Sequence, residues 1–168
     1  MLVFHLGGVP VQIKRGTTRV VLILFGFVFK FPTLRQFTDK GRLYRYFRGL
    51  VANVTEFATY LDCKCASFLV PVFSLGFVNI QKYQDGEKPT WDEMKIVFGR
   101  LPEKAQKTVR MMDMHPFAQS NFRRTSKGLR MIDFGDGFAE QIPISNFLIR
   151  FYEEFGKALE SKITTTID

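Results

Sequence analysis

The runs "TRVVLIL" and "FVFKFP" are branched or aromatic, flank Gly26, and read as a hairpin or bulged pair of strands that Pro32 closes. A long helix is expected next, over residues 35–61. Within it Leu43, Phe47, Leu50, Val54, Phe57 and Leu61 recur at three- and four-residue steps and make one apolar stripe. Along its flank runs a second line, Arg45, Gly49, Ala52, Asn53 and Glu56, whose small members let another element come close to Glu56. "SFLVPVFSLGFVNIQKYQ" predicts strands over 67–74 and 76–82 with Gly76 between them, and "DGEKP" a loop. Thr90 and Glu93 have capping-box spacing before a helix carrying Met94, Val97 and Phe98. Pro102 suits the first turn of a further helix reaching about Met112. "HPFAQSNFRRTSKGLRMIDFG" reads as two short strands joined by the turn "TSKG". Phe147, Leu148, Phe151, Phe155 and Leu159 mark an amphipathic helix expected to cover the core. Strands, helix, strands, helices, hairpin, helix is an α+β order. The expectation is a single domain over 1–168, with an N-terminal part over 1–83 and a C-terminal part over 84–168.

With 168 residues, 46% hydrophobic and 15% aromatic, the chain is long and apolar enough to bury a core. Cys63 and Cys65 are too few for a disulfide framework, and a C-x-C pair without further Cys or clustered His makes no zinc constellation. They read as reduced thiols in a cytoplasmic protein. The strongest apolar run, "VVLILFGFVF", is bounded by Arg19 and Lys30 and is about half as long as a membrane-spanning helix. No small-residue cleavage site follows it, so neither a span nor secretion is expected. Charge changes the picture more. Residues 1–60 hold nine Lys/Arg against two acids, 100–130 hold eight against two, and 131–168 hold three against seven. A basic face of this kind attracts nucleotides, nucleic acid, acidic proteins or a membrane surface without choosing among them.

The candidate chemistry centres on "RMIDFGDGF". Asp133 ends a short apolar strand and is followed by Phe134 and Gly135. Read alone it is a turn residue, because Asp bonds its own backbone and Gly accepts positive φ. Three further residues suggest more: Lys30 in "FVFKFP", Glu56 in "ANVTEF" on the long helix, and Asn121 in "QSNF", twelve residues before Asp133. In this order the chain resembles the protein-kinase-like fold in a much reduced form, over roughly residues 18–138. It is also similar to short kinase-like proteins of phages and bacteria, in which an "FK-P" strand precedes an Arg-rich helix with an N-x-x-E element. The resemblance implies that Lys30 holds nucleotide phosphates, that Glu56 pairs with Lys30, and that Asn121 and Asp133 bind magnesium. The implied cofactors are ATP and Mg, and the implied partner is a nucleotide.

The chain departs from the family's pattern in three places. Pro116 stands five residues before Asn121, where those families carry the aspartate that acts as base. Asp113 and His115 in "DMHPFAQSN" are the nearby groups able to accept a proton, and "DMHP" resembles the "DLHP" start seen in small-molecule kinases. No G-x-G-x-x-G precedes the strands; "LGG" at 6–8 and "KRGTT" at 14–18 stand in its place. Only 35 residues follow Asp133, so a reduced helical part without a peptide platform is implied. The expected function is a kinase-like phosphotransferase acting on a small molecule or a host protein. Two alternatives stay open: a pseudokinase-like protein whose Arg35, Lys40, Arg42, Arg45 and Arg48 dock an acidic partner, and a basic nucleic-acid binder that uses the interleaved Tyr44, Tyr46 and Phe47.

Overall fold

Runs rich in branched and aromatic residues build one six-stranded antiparallel sheet in the computed structural model. The structure describes residues 2–6, 9–16, 18–34, 41–62, 67–100, 103, 116–134 and 143–167. Strands β1 (Leu2–Leu6), β2 (Val9–Arg15), β3 (Arg19–Leu24), β4 (Phe27–Pro32), β5 (Val72–Ser74) and β6 (Asn79–Lys82) lie in the order β1-β2-β3-β4-β6-β5. The β3–β4 hairpin turns on Phe25 and Gly26, with φ of 50° and 75°. Two consecutive positive φ values match the right-handed twist of the flanking strands, and Gly26 makes the second one cheap. Register places Val21, Lys30, Asn79 and Ser74 in one row across four strands, so they share a face.

Helix α1 (Arg42–Asp62) lies between β4 and β5 in the chain and packs on that face. The line Arg45, Gly49, Ala52, Asn53 and Glu56 is buried, whereas the apolar stripe is only half-buried and ends in exposed Leu61. The small residues explain the choice. A methyl group on Gly49 would lie 2.6 Å from the Thr18 carbonyl oxygen and 2.8 Å from Pro32 Cα, so only glycine lets the helix approach the sheet this closely. Within the half-buried stripe, Phe47 lies 5.7 Å from both the Phe151 and Tyr152 rings near the C-terminus, and Phe57 packs on the apolar core described below.

Helix α2 (Trp91–Gly99) starts at the expected capping box, in which Glu93 N donates to Thr90 Oγ1 (3.3 Å) and Thr90 N to Glu93 Oε2 (2.7 Å). A 3-10 turn (Pro116–Asn121) leads into β7 (Phe122–Thr125) and β8 (Gly128–Met131), a two-stranded ladder. Phe68, Leu69, Val72, Met94, Phe98, Phe122, Met131 and Phe134 form the apolar core between α2, this ladder and the start of β5. Backbone bonds lock the ladder in place: Met131 N to Phe68 O (2.8 Å), Val70 N to Met131 O (3.2 Å) and Arg124 N to Glu87 O (2.8 Å). The chain ends in α3 (Pro143–Phe151), a π-helical turn (Tyr152–Gly156) and α4 (Lys157–Ile167).

This last helical run corrects one expectation. Phe147, Phe155 and Leu159 are 59%, 59% and 54% exposed, so the stripe does not cover the core. The inward line is Tyr152, Gly156 and Glu160. Tyr152 packs edge-on against Tyr44, and its hydroxyl donates to Glu160 Oε2 (3.2 Å). Glu160 Oε1 in turn accepts from Leu43 N (3.3 Å), capping an α1 start that has no acid of its own. Burial, then the Glu160 charge, pushes the Tyr152 phenol up from its ordinary value. Three further structural differences fall elsewhere. The sheet has an N-terminal hairpin, β1–β2, that was not expected. Strands β5 and β6 are shorter than 67–74 and 76–82, and α1 begins at Arg42. Apart from Glu103, which is helical and exposed, the helix expected from Pro102 to about Met112 lies outside the described residues, as do both cysteines. Among the described residues no helix is long and apolar enough to cross a membrane.

Candidate functional site

Lys30 is placed by β4, whose central register turns its side chain toward α1. Its side chain is 5% exposed, and its ammonium donates to Glu56 Oε1 (2.5 Å) and to the Ile132 carbonyl (2.6 Å). Glu56 is fully buried, and five donors satisfy its carboxylate. Oε1 accepts from Lys30, from Phe134 N (3.4 Å) and from Gln81 Nε2 (3.5 Å). Oε2 accepts from Arg19 Nη1 and Asn79 Nδ2, both at 3.0 Å. A carboxylate buried without such partners would cost several kcal/mol, so the donors explain why Glu56 tolerates the interior.

Asn53, one turn earlier on α1, fixes the same frame. Its Nδ2 donates to the Lys30 and Gly76 carbonyls (both 3.2 Å), which ties the helix to β4 and to the β5–β6 turn. Asn79 Nδ2 donates back to the Asn53 carbonyl (2.9 Å). The line of small and polar residues on α1 is therefore the wall of an ionic cluster.

Asp133 follows β8 by two residues, and the ladder bonds above hold it at the edge of this cluster. Its Oδ1 accepts from Arg19 Nη2 and lies 3.6 Å from Lys30 Nζ. Burial pushes its carboxyl up, but the charges of Arg19 and Lys30 and their hydrogen bonds outweigh that and hold it down to about 2. Although protein atoms crowd around it, its side chain is 44% exposed, leaving one edge of the carboxylate open. Asp133 is thus anionic, rigidly mounted and reachable from outside, and it is bonded well beyond its own turn.

The cluster brings together residues far apart in sequence. Arg19 and Asp133 are separated by 114 positions and Lys30 and Glu56 by 26. Asn121 closes the 3-10 turn, and its carbonyl accepts from Ile132 N (2.7 Å), so it stands beside the residue that precedes Asp133. Its side-chain oxygen accepts from Ser120 Oγ (3.4 Å). Asp113 and His115 lie outside the described residues. Arg19 was missed by sequence reasoning. The one signal for it was a basic residue opening an apolar strand, which usually reads as a solvated strand end.

Two features bear on whether a metal-nucleotide would fit. Asp133 offers a hard, ionised oxygen with an open edge, and two buried cations stand next to it, a donor set suited to phosphates as well as to a cation. Among the described residues no group of three or more His, Cys, Asp or Glu side chains gathers, so phosphate and water oxygens would have to complete a metal's shell. Comparison of the chain with models of protein families and with curated proteins finds no match.

Proposed function

We propose that the chain is a reduced kinase-like protein in which Lys30, Glu56 and Asp133 form a site for ATP and magnesium, with the terminal phosphoryl group presented to a hydroxyl of a small molecule or a host protein. The observation that carries this reading is the buried Glu56 carboxylate, which joins the strand lysine to the backbone amide that directly follows Asp133. A hairpin turn alone gives no reason for such convergence. The sheet with one long helix inserted between β4 and β5, and the hairpin that ends two residues before Asp133, follow the order the resemblance implies.

In this reading Lys30 supplies a point charge to the phosphates, and Glu56 fixes its direction and offsets its burial. Asp133 would hold magnesium, with Asn121, whose carbonyl is bonded to Ile132 N, as its second protein ligand. The metal, when bound, would neutralise phosphate charge as the phosphoryl group leaves. Phosphoryl transfer depends chiefly on such positioning and electrostatics, which rigid mounting on strand ends serves. The nucleic-acid alternative is weakened because Tyr44 and Phe47 are occupied in packing against Tyr152 and Phe151, leaving those rings unsuited to stacking on bases.

The test is the melting temperature of the full chain with ATP, with and without magnesium. At a nucleotide concentration about 100 times Kd, linkage adds roughly 2.7 kcal/mol, which is a shift of roughly 5–10 °C for a domain of this size. A shift that grows with magnesium is expected. No response to millimolar ATP in either condition would overturn the reading.

A further inference from the structure

The hairpin in front of the site has little with which to hold phosphates. β3 starts four residues after β2 ends, and Gly16 N already donates to Arg19 O at 2.8 Å, so the chain between the two strands is too short to wrap an anion in a run of backbone amides. Directly after this stretch the side chain of Arg19 enters the cluster with 8% exposure. Nη1 is anchored on Glu56 Oε2 (3.0 Å) and Asn53 Oδ1 (3.4 Å), and Nη2 reaches Asp133 Oδ1 at the open edge of the site. A guanidinium held this way presents its fork in a fixed plane, the arrangement that suits bidentate recognition of oxyanions.

Charge points the same way. Among the described residues the cluster sets Arg19 and Lys30 against Glu56 and Asp133, two cations against two anions. A triphosphate with its magnesium is still an anion, so its arrival leaves the site short of positive charge unless Nη2 turns from Asp133 to a phosphate oxygen. We propose that Arg19 is a second phosphate-binding cation, parked on Asp133 in the free protein and donating to the β- and γ-phosphates of a bound nucleoside triphosphate, where it does the work of the missing glycine-rich lid. This rests on the reading of the cluster as a nucleotide site. The anchor on Glu56 and Asn53 stays in place, so only the outer half of the guanidinium changes partner.

The test is titration calorimetry of the full chain with magnesium plus ATP, and separately with adenosine, on the parent, Arg19→Met and Arg19→Lys. Arg19→Met should weaken ATP roughly ten- to hundredfold, as expected for loss of hydrogen bonds to a charged group, and leave adenosine unchanged. Equal ATP affinity in parent and Arg19→Met, or equal weakening of ATP and adenosine, would overturn the proposal while leaving the nucleotide site standing. Absence of ATP binding by the parent would instead overturn the site reading itself, and this proposal with it. If Arg19→Met shows no cooperative melt, Arg19→Lys is read in its place. It keeps the charge but not the fork, so a selective severalfold loss for ATP supports the proposal and an unchanged affinity contradicts it.

Discussion

Replacing Glu56 by glutamine keeps the side chain's shape and removes one charge from a group with 0% exposure. A glutamine amide has one oxygen. Turned one way it leaves Arg19 and Asn79 facing an NH2, and turned the other way it leaves Lys30, Gln81 and Phe134 N doing so. Removing one partner of a buried ion pair costs about 3–5 kcal/mol. One or two lost hydrogen bonds to charged groups, at about 1.5–3 kcal/mol each, reach the same range. Since domains hold about 5–15 kcal/mol in total, Glu56→Gln should fold but be marginal. Urea unfolding followed by circular dichroism reads this directly. With a slope of about 2 kcal/mol/M the midpoint should fall by roughly 1.5–2.5 M. Exposed Glu153→Gln serves as control and should stay within about 0.5 kcal/mol of the parent. Adding Lys30→Met to Glu56→Gln should recover part of the loss, with a coupling of about 1–3 kcal/mol in a double-mutant cycle. A loss below about 1 kcal/mol for Glu56→Gln, or strict additivity, would refute the claim that Glu56 organises the cluster.

Gly49→Ala should destabilise by about 1–3 kcal/mol in the same assay, because the added methyl meets backbone of Thr18 and Pro32, outweighing the gain in helix propensity of about 1 kcal/mol; a stabilised variant would contradict the close approach. Thr90→Ala removes the α2 capping box and should cost about 1 kcal/mol, with no change in ATP affinity. Without added metal, Asp133 should make stability pH-dependent. Its folded carboxyl is held down to about 2, below the ordinary unfolded value of about 3.9, so its contribution is fully present above that value and is lost as pH falls toward 2. Urea midpoints of the parent and Asp133→Asn should therefore converge on acidification, and high salt should shrink the gap because the side chain is 44% exposed. A gap that stays constant down to about pH 2.5 would show that the carboxylate charge contributes nothing.

Much of the fold could be read from local pattern. Gly26 between two β-rich runs, the Thr90–Glu93 box and the "TSKG" turn each encode an element within a few residues, and each is present. The β1–β2 hairpin escaped notice because His5 and Pro10 interrupt it, although Val9, Val11 and Ile13 alternate as a strand should; Pro10 pairs only with His5 and lies beyond the β2–β3 ladder, so its missing N–H breaks no bond there. The C-terminal helical run misled. Its apolar stripe was expected to cover the core, yet Tyr152, Gly156 and Glu160 face inward, whereas on α1 the line of Gly49, Asn53 and Glu56 faces inward as its small residues suggested. Small residues permit close approach and polar ones find partners across it, and a periodicity count weighs neither. On α1 the small residues flanking Glu56 were visible in sequence. Arg19 was not, since its partners arrive from 34, 37 and 114 positions away.

Whether the cluster is a metal-nucleotide site is tested most directly by measuring ATP affinity by calorimetry as magnesium is added, for the parent and Asp133→Ala. The parent should bind ATP more tightly with magnesium. Asp133→Ala should lose that increment while retaining the weaker metal-independent binding that Lys30 supports. Identical magnesium dependence in the two proteins, or no ATP binding by the parent at any magnesium concentration, would contradict the account.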